Sequence, residues 1–445
     1  MGQAIDLKAV RGIADSTVGS SSVPGAILDW RLKSLPPAAE GLSIAEFLAT
    51  GPRLADLQTP LLTLDESALS ANIEHFAAWC ERHAVKLAPH GKTTMAPQLW
   101  ARQLDRGAWG VTVANLAQLR VAVHFGVGTV MVANSLTDPI AIRWAAEQAA
   151  AGTRIVSWVD NIQTVQRIDA VLAGTGLSLD VLVELGAPGG RTGARTPEAA
   201  REVADAVVHS EHLSLRGVSG YEGSLAHTAE ASALAAVRSY LISLRALHTE
   251  LTQAGAYAPG EVIVTAGGSA YFDLVVEELA DLAGEDSAGD QTSVVLRSGA
   301  YLVHDNGFYE QISPFSRTPG EQPLVAGMHG WARVVSLPEP GLAILDAGKR
   351  DLPFDEGLPV PQGVAAELGA PLRPLGGAGQ AASIVAINDQ HCYLRFDAGT
   401  DDLRIGEVVR LGLSHPCTAF DKWQLIPVLD QVDSGQVVDL IRTFF

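Results

Sequence analysis

Eight short apolar runs, each followed by a segment of helical periodicity, constrain this chain more than any other feature. They cover residues 85–88, 110–114, 129–133, 154–159, 179–185, 215–220, 262–265 and 293–297. A strand that is apolar on both faces has to be covered on both faces, and a parallel sheet flanked by helices does this. Eight such units over about 250 residues match the arithmetic of a closed (β/α)8 TIM barrel. A doubly wound sheet is the alternative. Against it, no run leads into G-x-G-x-x-G or G-x-x-x-x-G-K-S/T, so nucleotide binding has no support.

The text on either side of these runs differs. Residues 1–56 read as an irregular N-terminal extension, with a polar Ser/Gly patch at 16–22 and no discernible chemistry. Regular patterning starts with a strand at 61–65 and an amphipathic helix at 67–83, capped by Asp65 or Ser67. The barrel is therefore assigned to 57–307. Beyond Phe308 the alternation stops, and runs at 332–336, 342–346, 382–387, 391–396 and 408–412 read as strands between Gly/Pro-rich turns. Residues 308–445 are thus expected to form a second, mainly β domain, whose longest loop, 353–379, is expected to be exposed.

Composition narrows the class of partner. A chain of 445 residues with 47% hydrophobic content can bury a large core, and its net charge of −19 repels nucleic acid and anionic membranes. Three cysteines, Cys80, Cys392 and Cys417, cannot pair without one left over, which points to a reducing cytoplasmic setting. No apolar run approaches the ~18 residues of a membrane span. A soluble enzyme acting on a small molecule is the expectation.

In a barrel of this kind the active site lies at the C-terminal strand ends. His90 and Lys92 follow the first run, just past Pro89, and lysine is scarce elsewhere in the chain. A partly desolvated amine there suits a Schiff-base nucleophile; a solvated loop lysine is the plain alternative. Glycines surround Arg191 after the fifth run, where it could reach a ring or a carboxylate, or simply pair with Glu184. Tyr221 follows the sixth run as a ring partner or a rim aromatic. Gly267, Gly268 and Ser269 follow the seventh, as a phosphate cup or only a turn. In the β domain, His415 and Cys417 stand two residues apart and could aim at one Zn²⁺ if that segment is extended, although such a pair is often purely structural.

Taken together, these motifs resemble the fold-type III pyridoxal phosphate enzymes, and within them the D-serine dehydratase and D-threonine aldolase family, over about residues 57–425. Pro89-His90-Gly91-Lys92-Thr93 is similar to the family's P-H-x-K-T segment, which implies that Lys92 bonds the cofactor. Arg191 is similar to the arginine of its R-x-G segment, Gly267-Gly268-Ser269 to its phosphate cup, and Tyr221 to its pyridine-side tyrosine. His415-Pro416-Cys417 resembles the zinc-holding H-x-C of the dehydratases, where the aldolases have H-x-D. Ala88 and Thr94 depart from the arginine and second histidine of relatives. The resemblance implies an alanine-racemase-type barrel with a β domain, a homodimer, pyridoxal 5'-phosphate and Zn²⁺ as cofactors, and a dehydratase of β-hydroxy D-amino acids such as D-serine or D-threonine. Retro-aldol cleavage to glycine and an aldehyde is the alternative, ahead of a racemase or a non-catalytic cofactor carrier.

Overall fold

The computed structural model describes residues 27–285, 291–377, 380–399, 402–432 and 435–445; the polar patch at 16–22 lies outside them. All eight expected runs are strands, and all pair in parallel: Lys86–Leu87, Val111–Val113, Thr129–Ser135, Arg154–Val159, Leu179–Leu185, Leu213–Gly220, Val262–Ala266 and Gln291–Leu296. They are counted below as barrel strands one to eight. Neighbours in sequence are neighbours in the sheet, and strand eight returns to strand one through the register Val295↔Lys86 and Leu296↔Leu87.

The barrel closes at a single narrow seam. Strand one stops just before Ala88 and Pro89, the latter with no N–H to give, and past it the pairing with strand two is a His90↔Thr112 bridge. Thr112 N–H donates to Pro89 O at 2.9 Å and Trp109 N–H to Leu87 O at 2.7 Å. The seam therefore sits beside Lys92. Alternate residues divide between two cores. Met131, Val156, Leu182, Ile263 and Val295 fill the barrel interior with Trp158 and Ala88, while Val130, Ile155, Val181, Val264 and Val294 face the helices. Ala88 accordingly packs inside the barrel and is not on the wall of the cavity at its mouth.

The second sheet has a feature that local pattern does not show. Leu61–Asp65 lies not in the barrel but between two strands from the far end of the chain, antiparallel to Met328–Glu339 (Leu61↔Trp331) and parallel to Leu425–Leu429 (Leu64↔Val428). Its five residues are buried on both faces, and only a central strand satisfies that. From there the helix Glu66–Arg82, capped by Asp65 accepting from Ala68 N–H at 3.0 Å, carries the chain across to the barrel. The described part of the N-terminal stretch packs Leu28, Ile44, Phe47 and Leu54 against Trp331, Leu425 and Leu440 of this sheet.

The segment 353–379, expected to be an exposed loop, contains the strand Val360–Ala365, paired with Val408–Gly412. Pro361 and Gly363 mask it in the sequence, yet both are tolerated: the register shifts between them, and on its other side the strand is bridged at Val364↔Arg373, not at either of these residues. The short helix Pro416–Phe420 of this domain seats against the turn Gly91–Thr93, and Phe444 N–H donates to Met95 O at 2.9 Å. The β domain thus roofs the mouth of the barrel. Among the described residues no helix is long and apolar enough to cross a membrane.

Candidate active site

Local chain geometry presents the lysine. After Pro89 the chain makes a tight turn through Gly91–Thr93, over the indole of Trp100, whose Nε1 donates to Gly91 O at 3.3 Å. A Cβ on Gly91 would lie 2.7 Å from Val111 Cγ1 and 2.9 Å from the Trp100 ring. Gly91→Ala is therefore expected to cost about 1–3 kcal/mol by overpacking and to loosen cofactor retention by shifting Lys92. Urea denaturation and dialysis of the loaded protein measure both, and wild-type values in both would refute this role of the turn.

Lys92 lines a cavity of about 240 Å³ at the barrel mouth. On the same wall stand His90, Arg191, Tyr221, Gly268, Ser269, His415 and Cys417, which the sequence placed on five separate segments. Tyr221 is held by Tyr240, whose hydroxyl donates to Leu185 O at 2.6 Å and accepts from Tyr221 N–H at 3.0 Å. Arg191 does not pair with Glu184. Its guanidinium lies over the Tyr221 ring, 4.9 Å from the centroid, and Glu184 instead accepts from the Thr192 hydroxyl at 3.1 Å.

The phosphate cup needs correcting. Gly267 is not on the cavity wall, and its N–H donates to Glu222 Oε2 at 3.0 Å. Gly268 does reach the wall, but its N–H also goes to Glu222, at 2.6 Å from Oε1. Ser269 alone of the three offers a group to the cavity: its hydroxyl accepts from Ala300 N–H at 3.2 Å and stands on the wall with Tyr309.

Several wall residues were given no role from the sequence, although Arg297 closes the eighth run. Arg297, at the end of strand eight, is buried, donates to Thr265 Oγ1 and Gly220 O at 2.6 Å each, and lies over Trp158. Its position at a strand end was the only signal. Tyr309, His227 and Glu356 also line the cavity, and nothing in the local pattern marks them.

The electrostatics follow from burial among cations. Desolvation pushes the Lys92 ammonium below the usual lysine range; Cys417 opposes this, and Arg191 and Arg297 add to it. Burial, with Lys92 and both arginines, drives His90 well below the ordinary imidazole value, and its buried Nδ1 has no hydrogen-bond partner. Burial raises Glu184 and Tyr221. A lowered amine, an unpaired guanidinium, an orphaned ring nitrogen and a hydroxyl-bearing turn fit an anionic aromatic aldehyde, which is what pyridoxal phosphate is.

The roof supplies the soft donors. His415 Nδ1 lies 2.7 Å from Asp355 Oδ2, which leaves the other ring nitrogen for a further partner, and Cys417 stands on the same cavity wall. Against the penalty of burial, Cys417 and Asp355 raise His415 to about 9. Against burial likewise, His415, Thr93 and Lys92 hold the Cys417 thiol below its ordinary value. Imidazole, thiolate and an outer carboxylate on the imidazole form a donor chemistry that fits Zn²⁺. Among the described residues no cluster of three or more His, Cys, Asp or Glu forms a closed cage, so two protein ligands would leave positions for water or substrate. Asp355 sits in the segment that had looked like an exposed loop.

Comparison with known proteins agrees with this arrangement. The alanine racemase N-terminal domain model matches residues 64–281 and a serine dehydratase domain model matches residues 327–429. The D-threonine aldolase of Arthrobacter sp is 26% identical over 388 residues, covering 87% of this chain and 91% of its own. The D-threo-3-hydroxyaspartate dehydratase of Delftia sp. is 25% identical over 256 residues, covering 53% and 67%. Among solved structures, the D-threonine aldolase from Filomicrobium marinum superposes with a TM-score of 0.72 at 24% identity, over 88% of this chain and 97% of that one. A variant of the D-threo-3-hydroxyaspartate dehydratase, solved in a metal-free form, gives 0.68 at 20% identity, over 88% and 99%. Barrel, roof and both family models together place the chain: it belongs to the D-serine dehydratase and D-threonine aldolase family of alanine-racemase-like pyridoxal phosphate enzymes, and it is a lyase of that type.

Proposed function

We propose that the protein is a zinc-assisted lyase of β-hydroxy D-amino acids that removes the β-hydroxyl and releases an α-keto acid and ammonia. The observation that carries this reading is the convergence of Lys92, from the barrel, and the His415–Cys417 pair, from the roof, on one cavity. A cofactor carrier needs no such roof, and a racemase needs no metal.

Lys92 Nζ would hold the cofactor, and its amine, once free, would take the substrate's α-proton. Its lowered pKa leaves a share of neutral amine for that task. Bound pyridoxal phosphate supplies an electron sink for the α-carbon. His415 and Cys417 would hold Zn²⁺, which would supply a Lewis acid for the β-hydroxyl, otherwise a poor leaving group. Asp355 fixes the imidazole through Nδ1, and Thr93 Oγ1, 3.4 Å from Cys417 Sγ, fixes the thiol. Arg191, with no carboxylate partner in the described residues, is the cation available to a substrate carboxylate or to the cofactor.

The H-x-C pairing at His415 and Cys417 favours elimination. The 26% identity to a D-threonine aldolase favours the second reading, in which the hydroxyl loses its proton and the Cα–Cβ bond breaks. Incubation of the zinc-supplied enzyme with D-threonine, with L-threonine as control, separates them. We expect 2-oxobutyrate and ammonia from the D isomer alone. Glycine and acetaldehyde would replace elimination with retro-aldol cleavage, and no product from D-threonine or D-serine would remove this substrate class.

A further inference from the structure

We propose that Glu222 is a positioning residue for the cofactor's phosphate, acting through the glycine turn without touching the cavity. This rests on the pyridoxal phosphate reading above. The Glu222 side chain is completely buried and absent from the cavity wall, although Tyr221 before it and Gly223 after it both stand there. Its two carboxylate oxygens each take one backbone N–H of the turn, from Gly268 at 2.6 Å and Gly267 at 3.0 Å. The bonds come from behind the turn, because Gly267 too is off the wall.

The other side of the same turn is also held. Ser298 Oγ donates to the carbonyls of Gly267 and Gly268 at 3.1 and 3.2 Å, and Arg297 N–H donates to Gly267 O at 3.1 Å. Gly267 adopts φ +92°, and a Cβ there would lie 2.5 Å from Leu296 Cδ2, so the backbone has one way to pass. With N–H groups and carbonyls both engaged, the turn is a rigid arm, and the first side chain it delivers to the cavity is that of Ser269. Ser269 Oγ accepts from the Ala300 N–H, so its own O–H is the donor that the turn offers an anion.

A buried carboxylate near a phosphate site would repel its ligand unless its charge were met. Here the two charge-assisted N–H bonds meet it, together with the buried Arg297 guanidinium, on which Glu222 is the leading charge influence. Glu222 thus sets the direction of the cup and contributes no donor to it.

The experiment titrates the cofactor-free protein with pyridoxal phosphate and, separately, with pyridoxal, following the absorbance of the lysine-bound ligand. Glu222→Gln sets an amide NH₂ against a backbone N–H and breaks one of the two bonds. Glu222→Asp keeps the charge but is too short to reach both. In each variant we expect affinity for pyridoxal phosphate to fall at least about tenfold while affinity for pyridoxal is unchanged. An unchanged preference for the phosphorylated ligand overturns the proposal. So does equal weakening of both ligands, which would mark Glu222 as a general structural residue. Wild-type protein that forms the band with neither ligand would instead remove the cofactor reading beneath it.

Discussion

Lys92→Ala protein, purified in the presence of pyridoxal phosphate, is expected to lack the absorbance band of lysine-bound cofactor and to lose at least about a thousandfold in turnover. The figure follows from the two tasks assigned to one amine, holding the cofactor and removing a proton, the second alone being worth roughly 10²–10⁴. No other wall residue bears a primary amine. His90 is driven well below the ordinary imidazole value but offers no primary amine, and the guanidiniums of Arg191 and Arg297 do not deprotonate. A band that survives the substitution would show that the cofactor is bonded elsewhere. A band lost with turnover retained would separate binding from catalysis and sink the assignment of the base.

Cys417→Ala is expected to abolish retention of zinc through gel filtration, read by elemental analysis, and to cut activity by more than about a hundredfold. Asp355→Ala is expected to weaken metal affinity by about 10–100-fold while leaving the pyridoxal phosphate band intact, the range typical of an outer partner to a ligating imidazole. The gradation matters because the two residues stand in different relations to the ion: one would bind it, and the other only holds His415 through Nδ1 at 2.7 Å. Chelation of the wild-type enzyme should give the same loss as Cys417→Ala, restored by added Zn²⁺. Full activity in a preparation shown to be metal-free would refute the zinc role and leave the His415–Cys417 pair as an acid–base or structural couple.

The barrel was legible because its strands are buried on both faces, a condition that writes itself into contiguous sequence. Lys92 was legible for a related reason. Pro89, which lacks an N–H, stands just past strand one, and the small residues after it leave a turn at a strand end, where barrels keep their chemistry. The roof was harder. Val360–Ala365 reads as loop because Pro361 and Gly363 interrupt it, and only its pairing with Val408–Gly412 makes it a strand and anchors the segment that bears Asp355. The strand Leu61–Asp65 is apolar enough for either sheet, and its placement was decided by partners more than 260 positions away.

Sequence alone thus determined the properties that arise from local covalent and solvation constraints: eight covered strands, a lysine just past a proline stop, a glycine turn, and an H-x-C pair. Tertiary structure alone decided where the backbone and side-chain hydrogen bonds go. Gly267 and Gly268 resemble anion donors by composition, yet their N–H groups are taken by Glu222, more than 40 residues earlier. Arg191 and Glu184 look like a pair across one loop, yet they take different partners. The physical reason is that a buried donor or acceptor must be satisfied by whatever the fold brings within about 3 Å, and which group that is depends on contacts no local stretch encodes.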